Sequence, residues 1–148
     1  MSHQQPTPVV LDGSALVALL GDAGPAGTWV EAAISGAALA APELAVFEAA
    51  NILRRQMISG PLDASQATLA HADLVALPLQ LWPYAPLSER AWELRHNLTI
   101  YDASYVALAE LLGAPVVTLD AKLRRAPGLR CPILAYVDGY RHTLRPDF

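Results

Sequence analysis

Two short apolar runs, each followed by an aspartate, constrain the fold of this chain more than any other feature. Residues 9–11 (V-V-L) precede Asp12, and residues 116–119 (V-V-T-L) precede Asp120. A run of β-branched and leucine residues bounded by turn or helix signals is typical of a buried strand. In open α/β sheets, ligands collect beyond the carboxyl ends of parallel strands. Both aspartates are therefore expected to face one crevice.

Strand-like runs alternate with helical patterns along all 148 residues, without an internal repeat, a long linker or a low-complexity segment. The pattern predicts strands at residues 8–11, 37–41, 78–82, 115–119 and 133–137. It predicts helices at residues 13–20, 26–35, 42–58, 63–76, 88–98 and 102–112. The fourth helix opens with Asp63 and Gln66 at the spacing of a capping box. This alternation predicts an α/β sandwich with a mostly parallel sheet.

Length and composition indicate one domain with its own core. Hydrophobic residues make up 53% of the chain, which is ample for a single core at this length. The only cysteine, Cys131, cannot form an internal disulfide, as expected in a reducing cytoplasm. No apolar stretch approaches the roughly 20 residues needed to cross a bilayer, and the polar N-terminus lacks the apolar core of a signal peptide. The protein is therefore expected to be soluble and cytoplasmic, without a membrane partner.

The formal net charge of −4 argues against a nucleic-acid partner, but the distribution of the charges weakens that argument. Arg54 and Arg55 are adjacent, and Asp120 is followed by the basic residues Lys122, Arg124, Arg125 and Arg130. A basic rim around an acidic centre suits a metal-dependent enzyme that acts on a polyanion. Each basic cluster taken alone fits a solvated helix face equally well.

A third carboxylate, Glu48, lies inside the long helix predicted over residues 42–58. The apolar stripe of this helix is expected to pack on the sheet and consists of Val46, Ala50, Leu53 and Met57. Glu48, Asn51 and Arg55 fall on a different stripe, so a carboxylate, an amide and a guanidinium project along one edge. Taken alone, Glu48 also fits the solvated face of an ordinary amphipathic helix.

Each aspartate has a structural alternative as well. Asp102 suits the N-cap or the first turn of a helix that ends at Gly113. Asp120 fits as a cap of the short segment 121–126, and Asp12 fits as a cap of the helix from Gly13. Asp12 has the least obvious structural role, because it ends a buried strand. Only the combination of the four acids indicates a metal-binding or catalytic site.

In combination, these segments resemble the PIN-domain ribonucleases, and within them the VapC-type toxins of toxin–antitoxin pairs. The resemblance rests on four segments in the family's order: V-V-L-D-G-S-A-L-V-A-L-L, P-E-L-A-V-F-E-A-A-N-I-L-R-R, L-T-I-Y-D-A-S-Y-V-A-L-A and V-V-T-L-D-A-K-L. It implies a PIN-like three-layer α/β/α sandwich around a mostly parallel sheet of four or five strands. A single domain is expected over residues 1–148, with residues 1–7 as a flexible N-terminus.

The same resemblance implies which residues form the site. The catalytic and metal-binding quartet is Asp12, Glu48, Asp102 and Asp120, and the supporting polar residues are Ser14, Asn51 and Thr118. At Gly13 the chain departs from the small non-glycine residue that is more usual between the acid and Ser14. This departure is expected to loosen the turn without removing a ligand.

The chemistry of the quartet agrees with that implication. Oxygen ligands without a supporting histidine or cysteine suit a hard ion, which is Mg²⁺ or, as a substitute, Mn²⁺. Two carboxylates about 4 Å apart repel by about 1 kcal/mol in water and about 4 kcal/mol at an effective dielectric near 20, so four of them need a cation, a proton or a basic partner. The predicted reaction is hydrolysis of RNA phosphodiester bonds by an endoribonuclease. Candidates for contact with the RNA backbone are Arg55, Lys122, Arg124 and Arg125.

The toxin resemblance also implies a cognate VapB-type antitoxin that docks near the site, and a homodimer. Five aromatic residues suit an interface, although core packing is predicted for each: Trp29, Trp82, Trp92, Tyr84 and Tyr136. Three alternatives stay open. A non-catalytic PIN-like interaction module would have an almost identical sequence. A metal-dependent phosphatase or a receiver-type domain would have a second aspartate two residues after Asp12, where this chain has Ser14.

Overall fold

The strands and helices follow the predicted order, in a computed structural model that describes residues 4–21 and 24–137. The strands are β1 (Pro8–Leu11), β2 (Ala38–Pro42), β3 (Gln80–Trp82), β4 (Val116–Thr118) and β5 (Ile133–Ala135). The helices are α1 (Gly13–Gly21), α2 (Pro25–Ala33), α3 (Leu44–Ser59), α4 (Ala64–Ala76), α5 (Ser88–Glu93) and α6 (Ile100–Leu112). Two short 3₁₀ turns occupy Ala85–Leu87 and Ala121–Arg125.

Within the described residues the five strands form one sheet in the order β3-β2-β1-β4-β5, and every pair is parallel. The chain first moves from β1 through β2 to β3 and then returns to β4. Because crossovers between parallel strands are right-handed, this reversal puts α1 to α4 on one face and α5 and α6 on the other. The predicted α/β sandwich with a parallel sheet is confirmed. Ligands of such sheets bind where the strand order reverses, which is between β1 and β4.

The core lies on both faces of the two central strands. Val10, Leu11, Val116 and Val117 are completely buried, as expected for parallel strands covered on both sides. Residues 4–7 are exposed and have no regular secondary structure, whereas residues 1–3 of the predicted flexible N-terminus lie outside the described residues. No helix in the described part of the chain is long and apolar enough to span a membrane.

Several strands and helices are shorter than predicted. Three predicted strands of five residues shorten to three residues each, namely β3, β4 and β5. The predicted helix 88–98 ends at Glu93. In the turn that follows, Asn97 Nδ2 donates to the Pro127 carbonyl, in the loop before β5, at 3.4 Å. The Asp63–Gln66 capping box is confirmed, with both reciprocal hydrogen bonds present at 2.8 and 3.0 Å.

The apolar stripe predicted for α3 is correct for Leu53 and wrong for Met57. The buried residues of α3 are Ala45, Ala49 and Leu53, whereas Met57 is exposed and Val46 is only half-buried. The reason is that α3 packs mainly against α1 and α4 rather than against the sheet. Small alanine side chains let the backbones of these helices approach closely, so the residues at the contact are the smallest apolar ones and not the most hydrophobic.

An ionic network fastens α5, α6 and the segment before β5 together. Arg90 Nε donates to Glu110 Oε2 at 2.6 Å, and its Nη2 donates to the Gly128 carbonyl at 2.7 Å. The backbone N–H of Arg130 donates to Glu110 Oε1 at 2.7 Å. Burial alone would raise the pKa of Glu110, but its hydrogen bonds from Arg90 and Arg130 outweigh burial and lower the pKa.

Candidate active site

Asp12 lies directly after β1 with its carboxylate oriented by three donors. Oδ1 accepts a hydrogen bond from Ser14 Oγ at 2.6 Å and one from the Ala15 backbone N–H at 2.9 Å. Oδ2 accepts a hydrogen bond from Thr118 Oγ1. Asp12 therefore caps α1, as its structural alternative predicted, and it also contacts the end of β4. Hydrogen bonds to both oxygens restrict the rotation of this carboxylate and hold it beside the end of β4.

The hydroxyls of Ser14 and Thr118 connect the ends of β1 and β4. Ser14 Oγ accepts a hydrogen bond from the Leu119 backbone N–H at 3.0 Å, and Thr118 Oγ1 accepts one from the Asp120 backbone N–H at 2.9 Å. Thr118 is completely buried. These two hydroxyls thus bring the segment before Asp120 against the carboxylate of Asp12.

Glu48 is held by Tyr105, a residue that was not predicted to belong to the site. Tyr105 Oη donates to Glu48 Oε2 at 2.6 Å, and the tyrosine is almost completely buried. Burial raises the pKa of Tyr105, so the phenol remains a donor. The signal in the sequence was its spacing, because a residue three positions after Asp102 lies on the same side of a helix.

Gly13 allows α3 to approach the start of α1. A Cβ atom at Gly13 would lie 2.8 Å from Glu48 Cβ and 3.2 Å from the Ala49 backbone nitrogen. The backbone of Gly13 does not have a positive φ, so the requirement for glycine is steric and not conformational. The expectation that Gly13 loosens the turn is wrong, because Gly13 is buried in a close contact between two helices.

Asp102 lies in the first turn of α6, the second of its two structural alternatives. The N-cap of α6 is Thr99, whose Oγ1 accepts a hydrogen bond from the Asp102 backbone N–H at 3.2 Å. Asp120 caps the 3₁₀ turn Ala121–Arg125, because its Oδ1 accepts a hydrogen bond from the Lys122 backbone N–H at 2.9 Å. Both caps fix the backbone and leave carboxylate oxygens for other contacts.

The four acids are electrostatically coupled. Burial raises the pKa of Asp12, and the charge of Asp120 adds to that effect. Burial also raises the pKa of Glu48, helped by the charges of Asp12 and Asp102. The pKa of Asp102 is raised by burial and then by the charges of Asp120 and Asp12. A bound cation would relieve this repulsion.

The donor set fits a hard divalent ion, because all four acids offer oxygen atoms alone. Among residues 4–21 and 24–137, no three histidine, cysteine or acidic side chains are already arranged to hold a metal ion. The hydroxyl contacts of Asp12 and Glu48 explain this, since each carboxylate has an oxygen turned toward a donor. Metal binding would therefore require small side-chain rotations around a fixed backbone.

The remaining predicted residues lie on the surface. Asn51 and Arg55 are on the exposed side of α3, and the structure gives Asn51 no side-chain contact with Glu48 among the described residues. Lys122, Arg124 and Arg125 are exposed on the turn that follows Asp120. Within the described part of the chain, none of these four basic side chains forms an ion pair.

A parallel sheet with coupled carboxylates at the point where its strand order reverses defines an α/β domain with an acidic centre. The sequence profile of the PIN domain matches residues 9–129, so the chain belongs to the PIN-domain family. The resemblance inferred from the sequence is confirmed.

Individual relatives agree with this assignment. The chain is 38% identical over 125 residues to Ribonuclease VapC1 of Mycobacterium tuberculosis, which covers 84% of this chain and 94% of that protein. It is 33% identical over 120 residues to Ribonuclease VapC12 of the same organism, covering 81% and 92%. The crystal structure of PAE2754 from Pyrobaculum aerophilum superimposes with a TM-score of 0.62 at 28% identity, covering 86% of this chain and 83% of that one.

Proposed function

We propose that this protein is a divalent-metal-dependent endoribonuclease that hydrolyses RNA phosphodiester bonds and acts as the toxin of a toxin–antitoxin pair. The relatives named ribonuclease VapC, which match over most of their length, support the reaction class. The observation that carries the proposal is the carboxylate of Asp12, which is fixed on both oxygens at the sheet edge and electrostatically coupled to Asp120.

In this proposal Asp12, Asp102 and Asp120 hold the cation, which is Mg²⁺ with Mn²⁺ as a substitute. When bound, such an ion neutralises charge on the scissile phosphate and lowers the pKa of a coordinated water. Glu48 completes the ligand set or accepts the hydrogen bond of the attacking water. Tyr105 supports it by holding one carboxylate oxygen, which leaves the other free to act. No side chain serves as a nucleophile, so catalysis rests on positioning and on charge neutralisation.

The exposed basic residues suit contact with the substrate backbone. Arg55 is on α3, the helix that carries Glu48, and Lys122, Arg124 and Arg125 follow Asp120 directly. Their charges are unpaired within the described residues, so binding phosphates breaks no ion pair there. Each phosphate neutralised this way releases counterions, and binding should weaken steeply as salt rises.

We further propose a VapB-type antitoxin as partner, a homodimer and a cytoplasmic location. An apolar cavity of about 360 Å³ lies next to Ser14, between α1 and α3, and includes Val17, Ile52 and Leu62. Apolar surface beside an acidic centre suits an antitoxin that covers both.

A non-catalytic interaction module is the second candidate function, and the presence of all four acids argues against it. The phosphatase alternative would need a second aspartate at position 14. This chain has Ser14 there, and its hydroxyl donates a hydrogen bond to Asp12.

The decisive experiment measures cleavage of an RNA pool by the purified, antitoxin-free protein in Mg²⁺ or Mn²⁺. We expect cleavage that EDTA abolishes and that Asp12→Asn reduces at least a hundredfold. Asp63→Asn is the matched control, since it makes the same chemical change at the exposed cap of α4, where asparagine also caps well. Undiminished cleavage by a folded Asp12→Asn protein would refute the proposed site.

A further inference from the structure

A second cavity, of about 350 Å³, opens between the starts of α3 and α6 beside the end of β3. Its lining is rich in aromatic side chains, namely Phe47, Trp82, Tyr84 and Tyr101. Phe47 is 77% exposed, Tyr101 61% and Tyr84 47%, so the core packing predicted for Tyr84 is wrong. A concave site of this volume with several exposed aromatic side chains is of the size that binds a small ligand.

This cavity lies on the same edge of the sheet as the acidic centre. Pro42 pairs with Trp82 across β2 and β3. Val10 pairs with Ala40 across β1 and β2, and continuing this register puts Asp12 level with Pro42. Strands in a sheet are about 4.8 Å apart, so Trp82 is two strands, or about 10 Å, from Asp12. One or two nucleotides of single-stranded RNA can span that distance.

The two helices that form the cavity also connect it to the carboxylates. Leu44 lies one helical turn before Glu48 on α3, and Tyr101 lies one turn before Tyr105 on α6. Residues four apart share a helix face. The cavity rim is therefore the next turn along from the Glu48–Tyr105 hydrogen bond. The cavity and the acidic centre are neighbours on one surface.

Polar groups at the cavity complement the edge of a nucleobase. Trp82 lines this cavity, and its Nε1 is a buried donor without a hydrogen-bond partner among the described residues, which is unfavourable in the free protein. Glu43 contributes an exposed carboxylate, an acceptor, to the same lining. Unpaired bases are bound by stacking on aromatic rings and by hydrogen bonds to their edges, and they present both donors and acceptors.

We propose that this cavity binds an unpaired nucleobase of an RNA strand whose phosphodiester lies at the acidic centre. The inference rests on the proposed ribonuclease function and adds the substrate contact that determines which nucleotide flanks the cut. Aromatic faces and a carboxylate favour a base over a phosphate, which Glu43 would repel. The basic residues at Arg55 and after Asp120 then contact the backbone.

The test uses the full-length Asp12→Asn protein, which binds RNA without cutting it. Its affinity is measured for a short single-stranded RNA and for an abasic ribose-phosphate chain of the same length. Phe47→Ala is expected to weaken binding of the RNA about tenfold and to leave binding of the abasic chain unchanged. Trp92→Ala is the matched control, since Trp92 is 59% exposed on α5 and does not line this cavity.

Trp82→Phe supplies a second, independent measurement. It removes the indole N–H and keeps a smaller aromatic ring. Relief of the unpartnered donor offsets the packing that is lost, so the free energy of unfolding should change little. The affinity for the base-containing RNA should nevertheless fall severalfold. A loss of stability without a loss of affinity would show that this indole serves packing and would overturn its assigned role.

Two further outcomes overturn the proposal. If Phe47→Ala and the control bind RNA equally well, no base occupies the cavity, even where the parent enzyme cleaves RNA. If Phe47→Ala changes the mass of the protein in solution, or its affinity for the antitoxin, without any base-dependent change, the cavity is a protein interface. Base-dependent binding together with no cleavage by the parent protein, which retains Asp12, would support the cavity and contradict the nuclease function, so the two failures are distinguishable.

Discussion

Replacing Gly13 with alanine should destabilise the protein, although the same change normally stabilises a helix. The new Cβ would lie 2.8 Å from Glu48 Cβ, whereas carbon atoms in contact are about 3.5–4.0 Å apart. The helices must therefore separate by about 1 Å, and overpacking of this kind costs about 1–3 kcal/mol. The helix propensity of alanine returns at most about 1 kcal/mol. We expect a net loss of about 1–2 kcal/mol, or about 3–6 °C in Tm for a chain of this size.

The assay is urea unfolding followed by the fluorescence of the three tryptophans. Gly21→Ala is the matched control, because it lies on the same helix and a Cβ there would have no neighbour within 4 Å. The control should be as stable as the parent or slightly more stable. If Gly13→Ala is equally stable, α3 does not depend on this close contact and the steric argument fails. Cleavage by Gly13→Ala should also fall, since the displaced atom belongs to Glu48.

Three further predictions concern the hydrogen bonds. Glu110→Gln should lower the free energy of unfolding in urea by about 2 kcal/mol at pH 7. Because folding lowers the pKa of Glu110, this difference from the parent protein should shrink as the pH falls below 4.5, the ordinary pKa of the side chain. A difference that stays constant with pH would contradict a role for the charge. Tyr105→Phe should lower the rate of RNA cleavage about tenfold, because Glu48 loses the donor that orients its carboxylate. An unchanged rate would show that Tyr105 plays no part in the site. Thr118→Val should lower the free energy of unfolding by about 1–3 kcal/mol, measured in urea, because Asp12 loses a buried donor; equal stability would count against that bond.

The fold was predictable because periodicity and connection rules act at the level of whole elements. Short apolar runs and a helical period of 3.6 residues identified every strand and α-helix of the described chain in order. Boundaries were less accurate, because they depend on single contacts. The cap at Thr99, for example, starts α6 at Ile100, two residues before the predicted start at residue 102. The stripe of α3 was mispredicted because hydrophobicity does not reveal whether a helix faces the sheet or another helix.

The site was predictable only in part. Strand ends gave Asp12 and Asp120, because all parallel strands finish at one edge. The partner of Glu48 could not be predicted, since Tyr105 is 57 residues away and reads as an ordinary core aromatic. The close approach of α3 to Gly13 could not be predicted either, because the distance between two helices does not show in the spacing of apolar residues along the sequence. Phe47 and Tyr101 were not singled out, and Tyr84 was assigned to the core, since composition does not separate a core ring from a surface one.

The hydrogen bond from Thr118 to Asp12 joins residues 106 positions apart, and β4, which carries Thr118, pairs with β1. During synthesis, the first 100 residues can form β1, β2 and β3, but the crevice lacks one wall until residue 120 has left the ribosome and β4 has docked. A site built in this way is inactive in every shorter fragment. RNA cleavage is therefore expected to begin only after the last strands of the domain have been made.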